Sequence, residues 1–366
     1  MTLKVPFEQF CVPGKFVDLQ TIGSGHINDT WLARFQNEGA VENVVIQRIN
    51  RNVFKDPVAV MENMARVSKH LWQKLEHEPD RERKVLRIVP ARDGSQYFED
   101  DSGNFWRACP FIDGASTYDR VEKPEQAFQA ALAYGRFQKL LLDLEGPPLH
   151  ETIPQFHSGT KRYSDFLKTL KADTHNRAVD ASDSIDFVNE SSGDFSHLEK
   201  LIDKQILPVR TTHNDTKLNN VLLDDANGEG LCVIDLDTVM PGLSLYDFGD
   251  LVRSGATTGH EDEQNLDLVR FNFKTFEALL RGYLSGTSGF LIPAERENLY
   301  FSGILMTLII GVRFLTDHLQ GDQYFKISRP GHNLDRARAH FALVNSMRER
   351  RDEMSRLVEK VCNEMD

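Results

Sequence analysis

Apolar and polar residues alternate through much of the first third of the chain. This alternation predicts strands over residues 16–22, 30–35 and 44–49, and a β-branched run predicts another over 85–89. Turn-forming residues at 100–104, between the pairs Tyr97-Phe98 and Phe105-Trp106, predict a hairpin. From Pro57 to about residue 75, apolar residues recur every three or four positions, as in a helix with one buried face. The first portion is therefore predicted to be a mostly antiparallel sheet with one helix.

The rest of the chain is predicted to be mainly helical. Helical spacing covers residues 127–142, 298–319 and 336–361. The stretch 173–196 is rich in Asp, Ser and Asn, and we expect an exposed insertion or a mobile cap there rather than core. One strand-rich island interrupts the helices at 211–237, with short strands over 221–223 and 231–234 around an Asn-Gly turn.

Composition narrows the class of protein. The 366 residues are 40% apolar and 27% charged, as in soluble globular proteins, and this length favours two lobes or domains. The net charge of −12 argues against a nucleic-acid partner. The longest apolar run, residues 304–312, is short for a membrane span, and four scattered cysteines predict neither a disulfide framework nor a zinc site. We expect a cytoplasmic monomer that binds neither nucleic acid nor membranes.

The island holds the strongest chemical signal in the chain. His213-Asn214-Asp215 is followed five residues later by Asn220, and the apolar pair Val233-Ile234 leads to Asp235. Phosphoryl transfer needs a carboxylate that orients the attacking hydroxyl and oxygen ligands for magnesium. Asp215, Asn220 and Asp235 could supply them. The alternative interpretation is a capping Asp and a turn Asn, and His213 is expected to support the loop rather than transfer protons.

A second motif is the glycine turn Gly23-Ser24-Gly25-His26-Ile27-Asn28 between the first two predicted strands. Small residues there let backbone amides approach phosphate oxygens, and we therefore expect Gly23, Gly25, His26 and Asn28 to contact a nucleotide. An ordinary two-glycine hairpin turn is the alternative. The chain has no G-x-x-x-x-G-K-[ST] motif, which excludes a P-loop enzyme.

Together these motifs resemble the aminoglycoside phosphotransferase and choline kinase superfamily, relatives of the protein kinases. Within it, these motifs resemble the bacterial N-acetylhexosamine 1-kinases in particular. The matching blocks are the glycine turn and residues 212–220, 235–242, 247–250, 261–263 and 332–334. The resemblance implies an α+β, two-lobed, protein-kinase-like fold, with a nucleotide-binding lobe over 1–112 and a catalytic and substrate-binding lobe over 113–366. It also implies that ATP and Mg²⁺ are used to phosphorylate the anomeric hydroxyl of N-acetylglucosamine or N-acetylgalactosamine.

The resemblance also implies roles for individual residues. Asp215 is the catalytic base, Asn220 and Asp235 are magnesium ligands, and Asp237 is a nearby carboxylate whose metal contact stays open. Asp247 begins a DFG tripeptide, but in this family the metal is bound by the earlier Asp, so Asp247 is expected to support the loop. Capping of the following helix is an equally good interpretation of Asp247.

The third strand departs from the kinase pattern. Kinases carry a phosphate-binding Lys there, whereas this chain has Val-Val-Ile-Gln47-Arg48. Arg48 is the available cation, although neighbouring strand residues face opposite sides and either Gln47 or Arg48 could face the cleft. Glu62 is the only early carboxylate of the expected kind, and it could equally be a surface residue.

Adenine is expected against backbone groups of residues 108–111, including Phe111, where the two lobes join. For the sugar substrate, Arg313, Tyr324 and Asn219 are the leading candidates. Further candidates are Asp317, His332, Asn333 and Arg336. The alternative is a surface ion pair between Arg313 and Asp317, four residues apart on one helix.

Two other functions stay open at this point. One is a kinase of the same fold that acts on a different sugar, an aminoglycoside or an amino alcohol. The other is a nucleotide-binding scaffold without catalysis, suggested by the missing strand lysine. The intact set of Asp215, Asn220 and Asp235 argues against the scaffold.

Overall fold

An antiparallel sheet forms the first lobe. Its strands are β1 (Lys15–Thr21), β2 (Asp29–Asn37), β3 (Ala40–Arg48), β4 (Phe98–Glu99) and β5 (Phe105–Pro110). They lie side by side in the order β1-β2-β3-β5-β4. The structure is a computed structural model that describes residues 5–22, 27–287 and 289–365.

The predicted helix of this lobe is α1 (Pro57–Lys74). Asp56 caps it, because its Oδ1 accepts a hydrogen bond of 3.0 Å from the backbone N–H of Ala59. Pro57 occupies the first turn, where a missing N–H costs nothing. The one-turn helix α2 (Arg81–Lys84) follows.

The hairpin prediction is confirmed by the pairing of β4 with β5, but the strand predicted over 85–89 is wrong. Only Val89 pairs, through a single antiparallel bridge to Ala108 on β5. The reason is competition for one sheet edge: β4 already pairs with Phe105 and Trp106 along the same edge of β5. Val85 is buried, which accounts for its apolar character without a strand.

The two faces of the sheet lie in different surroundings. On one face Val44, Ile46 and Trp106 pack under the N-terminal segment around Phe10. The opposite face belongs to the large core, which includes α1 and the second lobe. Because side chains alternate along a strand, Gln47 faces the second lobe and Arg48 faces away from it.

The second lobe contains two small sheets and most of the helices. Its strands are β6 (Ala115–Ser116), β7 (Arg210–Thr212), β8 (Val221–Asp224), β9 (Gly230–Val233) and β10 (Met240–Gly242), in the orders β6-β8-β9 and β10-β7. Its helices are α3 (Pro124–Leu140), α4 (Gly159–Ala172), α5 (Ser182–Glu190), α6 (His197–Asp203), α7 (Ser244–Gly255), α8 (Phe273–Thr287), α9 (Pro293–Glu297), α10 (Leu299–Leu319), α11 (His332–Glu349) and α12 (Arg351–Met365).

Helix α10 runs through the centre of this lobe. By length and composition it could cross a membrane, but 83% of its most apolar window is buried inside the protein. It packs against α4, α7 and α11. Its apolar character is that of a core helix.

Two helical predictions need correction. The stretch 173–196 is not only exposed insertion: α5 buries Ile185 and Val188, and Phe195 is buried against Tyr163. A narrow apolar face with long polar gaps is enough to hold α5 on the lobe. The single helix predicted over 336–361 is instead α11 and α12, which meet at Arg350. The α+β class, with a small antiparallel sheet and a larger helical lobe, is confirmed, whereas the boundary after residue 112 stays a prediction.

Candidate active site

The hairpin β8–β9 brings the two ends of the strand-rich island together. Val221 pairs with Val233, and the backbone N–H of Ile234 donates to the carbonyl of Asn220 at 2.9 Å. Asn220 therefore lies beside the residue that precedes Asp235. Asp235 has left-handed backbone angles (φ 59°), which end the strand and turn the chain into the next loop.

Asp247 holds the loop that carries Asp215. Its buried carboxylate accepts hydrogen bonds from the backbone N–H groups of His213 (2.9 Å) and Asn214 (2.7 Å), and from Nε2 of Gln138. Its carbonyl accepts a 2.6 Å hydrogen bond from Thr216. Burial raises the pKa of Asp247 although these hydrogen bonds and His213 oppose it. These contacts are the ones expected of a residue that supports the loop, as predicted for Asp247.

His213 joins the loop to the strand behind it. Its Nε2 donates to the carbonyl of Ile234 at 2.9 Å, and its Nδ1 accepts from the backbone N–H of Asp215 at 3.3 Å. Both ring nitrogens are thus used within the protein. This supports the predicted structural role of His213.

The carboxylate of Asp215 is partly exposed and carries an ion pair. Its Oδ2 lies 3.1 Å from Nζ of Lys217 and accepts a 2.9 Å hydrogen bond from Nδ2 of Asn220. Burial alone would raise the pKa of Asp215, but the positive charge of Lys217 and its hydrogen bond to the carboxylate hold the pKa below its ordinary value. Asp215 is therefore ionised at neutral pH, and its Oδ1 has no hydrogen-bond partner among the described residues.

Asn220 and Asp235 offer oxygens that suit magnesium. Asn220 uses Nδ2 for its contacts with Asp215, which leaves Oδ1 without a partner in the described part of the chain. The Asp235 carboxylate likewise has no hydrogen bond or ion pair with any described residue. Burial and the negative charges of Asp237 and Asp215 raise the pKa of Asp235 to about 7, and a divalent cation would relieve this repulsion.

The donor set fits Mg²⁺ better than a metal held by protein alone. Within the described ranges, no group of three or more His, Cys, Asp or Glu side chains could hold a metal ion. Mg²⁺ in phosphoryl-transfer sites is usually held by one or two protein ligands together with substrate phosphates and water. Asn220 and Asp235 would be two such protein ligands.

Asp237 faces the first lobe. Its Oδ1 pairs with Nη1 of Arg107 on β5, and its Oδ2 accepts a 2.7 Å hydrogen bond from Nδ2 of Asn28. Its backbone carbonyl accepts from the hydroxyl of Thr152 at 2.8 Å. Because both carboxylate oxygens have partners, Asp237 is an interlobe contact rather than a free metal ligand.

The structure places the residues predicted for the nucleotide in different surroundings. Arg48 pairs with Asp29 (Nε–Oδ2 3.1 Å) on the far face of the sheet, so the structure does not bring it to Asp215 and Asp235. Glu62 contacts His150 at 2.7 Å and pairs with no strand cation among the described residues. Phe111 is 37% exposed, and its N–H donates to the carbonyl of Asn43. Asn28 reaches the site through Asp237, whereas Gly23, Gly25 and His26 lie outside the described residues.

The structure groups Arg313 and Tyr324 with a second arginine. The Arg313 guanidinium lies over the rings of Phe156 (4.9 Å) and Tyr324 (5.7 Å), and forms no ion pair with any described residue. Arg162 donates from Nε and Nη2 to the carbonyl of Phe156 and also has no carboxylate partner in the described ranges. Burial, and then the charge of Arg313, lower the pKa of Arg162 to about 10. We call these two side chains the arginine pair.

His157 connects the arginine pair to the loop of residues 213–216, which carries Asp215 and which we call the catalytic loop. It follows Phe156, and its Nε2 donates to the carbonyl of Asn214 at 2.7 Å, next to Asp215. Burial lowers the pKa of His157 to about 3, with the charges of Arg313 and Arg162 adding to the effect, so the ring is neutral. The arginine pair therefore lies next to a residue that contacts the loop carrying Asp215, and neither arginine pairs with a carboxylate among the described residues.

The other acceptor candidates make structural contacts. Asp317 does not pair with Arg313, because its carboxylate accepts from the backbone N–H groups of residues 323–325. Asn333 donates to Asp317 at 2.9 Å, and His332 contacts Asp262. Asn219 donates to Asp119 at 2.9 Å.

Three cations near the site were missed in the sequence: Arg107, Arg162 and Lys217. Lys217 could have been found, since it follows Asp215 by two residues. Arg107 required the register of β3 with β5, and Arg162 is distant in sequence from every motif.

Comparison with known proteins agrees with this geometry. Residues 18–283 match the phosphotransferase enzyme family, APH. An aminoglycoside phosphotransferase from Alicyclobacillus acidocaldarius superposes with a TM-score of 0.58 at 12% identity, over 97% of this chain and 95% of that one. A choline/ethanolamine kinase family protein from Mesorhizobium loti gives 0.54 at 18% identity, over 94% and 92%. Spectinomycin phosphotransferase APH(9)-Ia, in complex with ADP and spectinomycin, gives 0.54 at 13% identity, over 93% and 94%.

Fold and site together define a two-lobed, kinase-like phosphotransferase. The chain belongs to the phosphotransferase enzyme family, APH, and is a small-molecule kinase of that family.

Proposed function

We propose that the protein transfers the terminal phosphoryl group of ATP to the anomeric hydroxyl of an N-acetylhexosamine, N-acetylglucosamine or N-acetylgalactosamine. The observation that carries the chemistry is the ionised, partly exposed carboxylate of Asp215 beside Asn220 and Asp235. The choice of sugar is supported by the motif resemblance to the N-acetylhexosamine 1-kinases.

In the proposed reaction, Asp215 orients the sugar hydroxyl and accepts its proton while the oxygen bonds to the γ-phosphorus. The bond between the γ-phosphorus and the β–γ bridging oxygen breaks, and ADP leaves. Magnesium, when bound by Asn220 and Asp235, neutralises charge on the phosphates. Lys217 stays paired with Asp215 and keeps its carboxylate ionised and oriented.

The arginine pair supports a neutral acceptor rather than a cationic one. Arg162 and Arg313 bring positive charge close to the catalytic loop without carboxylate partners in the described ranges. Choline and aminoglycosides are cations and would be repelled, whereas hydroxyl and acetamide oxygens accept hydrogen bonds from guanidinium groups.

The test is an ADP-release assay with ATP, Mg²⁺ and a panel of acceptors: both N-acetylhexosamines, glucose, glucosamine, choline, ethanolamine and an aminoglycoside. We expect turnover with the N-acetylhexosamines, and ³¹P NMR should identify a sugar 1-phosphate. Glucosamine is the matched control, because it differs from N-acetylglucosamine only in carrying a cationic amine. Turnover confined to amine acceptors, or nucleotide binding without turnover of any acceptor, would contradict the proposal.

A further inference from the structure

The position of the kinase lysine is occupied by Gln47, and a cation stands directly opposite it. In the kinase pattern V-A-I-K, the Lys on the third strand contacts the α- and β-phosphates. The corresponding residues here are Val44-Val45-Ile46-Gln47. Gln47 pairs with Arg107 in the register of β3 with β5. Directly opposite residues project from the same face of a sheet, so Arg107 presents its charge where the lysine would.

Arg107 is fixed in place by its neighbours. Its Nε donates to Oε1 of Gln47 at 2.9 Å, and its Nη1 pairs with the Asp237 carboxylate and lies 3.6 Å from the sulfur of Met64. The residue is only 2% exposed. Its Nη2 has no hydrogen-bond partner among the described residues, so two N–H donors stay available for a ligand.

The surroundings of Arg107 are those expected around nucleotide phosphates. Its partner Asp237 also accepts a hydrogen bond from Asn28, the last residue of the glycine turn, and lies two residues after the candidate magnesium ligand Asp235. The negative charges of Asp237 and Asp235 keep Arg107 protonated despite burial, which alone would lower its pKa. A buried guanidinium held between these two segments is preorganised for an anion.

We propose that Arg107 is the phosphate-binding cation of the nucleotide site, in place of the lysine that kinases carry on the third strand. Asp237 then has the role of the carboxylate that orients this cation. The proposal rests on the use of ATP in the proposed function, and it does not depend on which acceptor is phosphorylated.

The test compares the binding of ADP and adenosine, measured by calorimetry with Mg²⁺ on the full chain. Arg107→Gln should weaken ADP binding roughly ten- to hundredfold, the effect of losing charge-assisted hydrogen bonds, and leave adenosine binding unchanged. Arg107→Lys keeps the charge and should retain part of the affinity. Arg34→Gln removes an arginine of the same sheet that is paired with Asp18 at 2.7 Å, and serves as the matched control.

Two outcomes would overturn the proposal: Arg107→Gln binds ADP as tightly as the unchanged protein, or it loses ADP and adenosine affinity equally. The second outcome would assign Arg107 a structural role only. Should Arg107→Gln fail to fold, the double change Arg107→Met with Asp237→Asn removes both buried charges together and permits the same comparison. The acceptor panel is independent, because ADP binding can depend on Arg107 whether or not an N-acetylhexosamine is phosphorylated.

Discussion

Replacement of Asp247 by Asn tests whether this buried carboxylate holds the catalytic loop. Asp247 accepts hydrogen bonds from the backbone N–H groups of His213 and Asn214 and from Gln138. An asparagine has one acceptor oxygen, and its amide N–H₂ would face a backbone N–H. At least one buried donor therefore loses its partner in Asp247→Asn.

The expected change in the free energy of unfolding follows from those contacts. A buried donor left without an acceptor costs about 1–3 kcal/mol, and the new amide group is unpaired as well. Removing a buried negative charge offsets part of this loss, because burial disfavours the charged form of Asp247. We expect Asp247→Asn to lower the free energy of unfolding by about 1–3 kcal/mol, which for a chain of this length corresponds to roughly 1–4 °C in Tm.

The assay is urea unfolding followed by fluorescence, together with steady-state kinetics. Turnover should fall more than tenfold, because a shift of about 1 Å at Asp215 misplaces the attacking hydroxyl. Asp143→Asn is the matched control: Asp143 is exposed and pairs with Lys74, so its unfolding midpoint should not move. A midpoint and turnover equal to those of the unchanged protein in Asp247→Asn would refute the loop-support role.

Three further changes have defined outcomes. Asp215→Asn should keep the unfolding midpoint within error and lower kcat by about 10²–10⁴-fold, and near-normal turnover would exclude Asp215 as the base. Lys217→Met should lower kcat on the order of a hundredfold while Lys217→Arg retains much of it, and equal rates for both variants would exclude a role for the charge. Burial, followed by the charge of Arg253, lowers the pKa of His340 to about 4. Below pH 6.5 the unfolded chain therefore binds a proton at His340 that the folded chain does not bind, and the free energy of unfolding falls as the pH is lowered towards 4. His340→Asn, which can keep the hydrogen bond to the carbonyl of Arg336, should reduce the slope of unfolding free energy against pH by up to about 1.4 kcal/mol per unit, and an unchanged slope would contradict the assignment.

The centre of the site could be predicted because its geometry is local in sequence. Asp215 and Asn220 lie five residues apart in one loop, and a hairpin with an Asn-Gly turn joins Asn220 to Asp235. Short loops and hairpins have few possible arrangements, so spacing alone places these side chains close together. The sheet and the helix from Pro57 follow from the same short-range periodicities.

The cations around the site could not be predicted in the same way. Arg107 acts on Asp237, 130 residues further along the chain, and Arg162 lies near Arg313 only because α4 packs against α10. Such contacts depend on register and helix packing, which periodicity does not specify. The prediction of a strand over 85–89 was wrong for a related reason. Burial alone accounts for the apolar character of Val85, and β4 occupies most of the sheet edge that such a strand would have paired with.

The glutamine at position 47 is explained by its hydrogen bond with Arg107. A lysine at position 47 would present donors alone to the Nε–H of Arg107 and add a second positive charge at the same point, whereas the glutamine oxygen accepts the 2.9 Å hydrogen bond. Asp237, in turn, would be an uncompensated buried carboxylate without Arg107, at a cost of several kcal/mol. The missing lysine on β3 is therefore no sign of a degenerate nucleotide site. The positive charge stands one strand away, on β5, held by residues from both lobes.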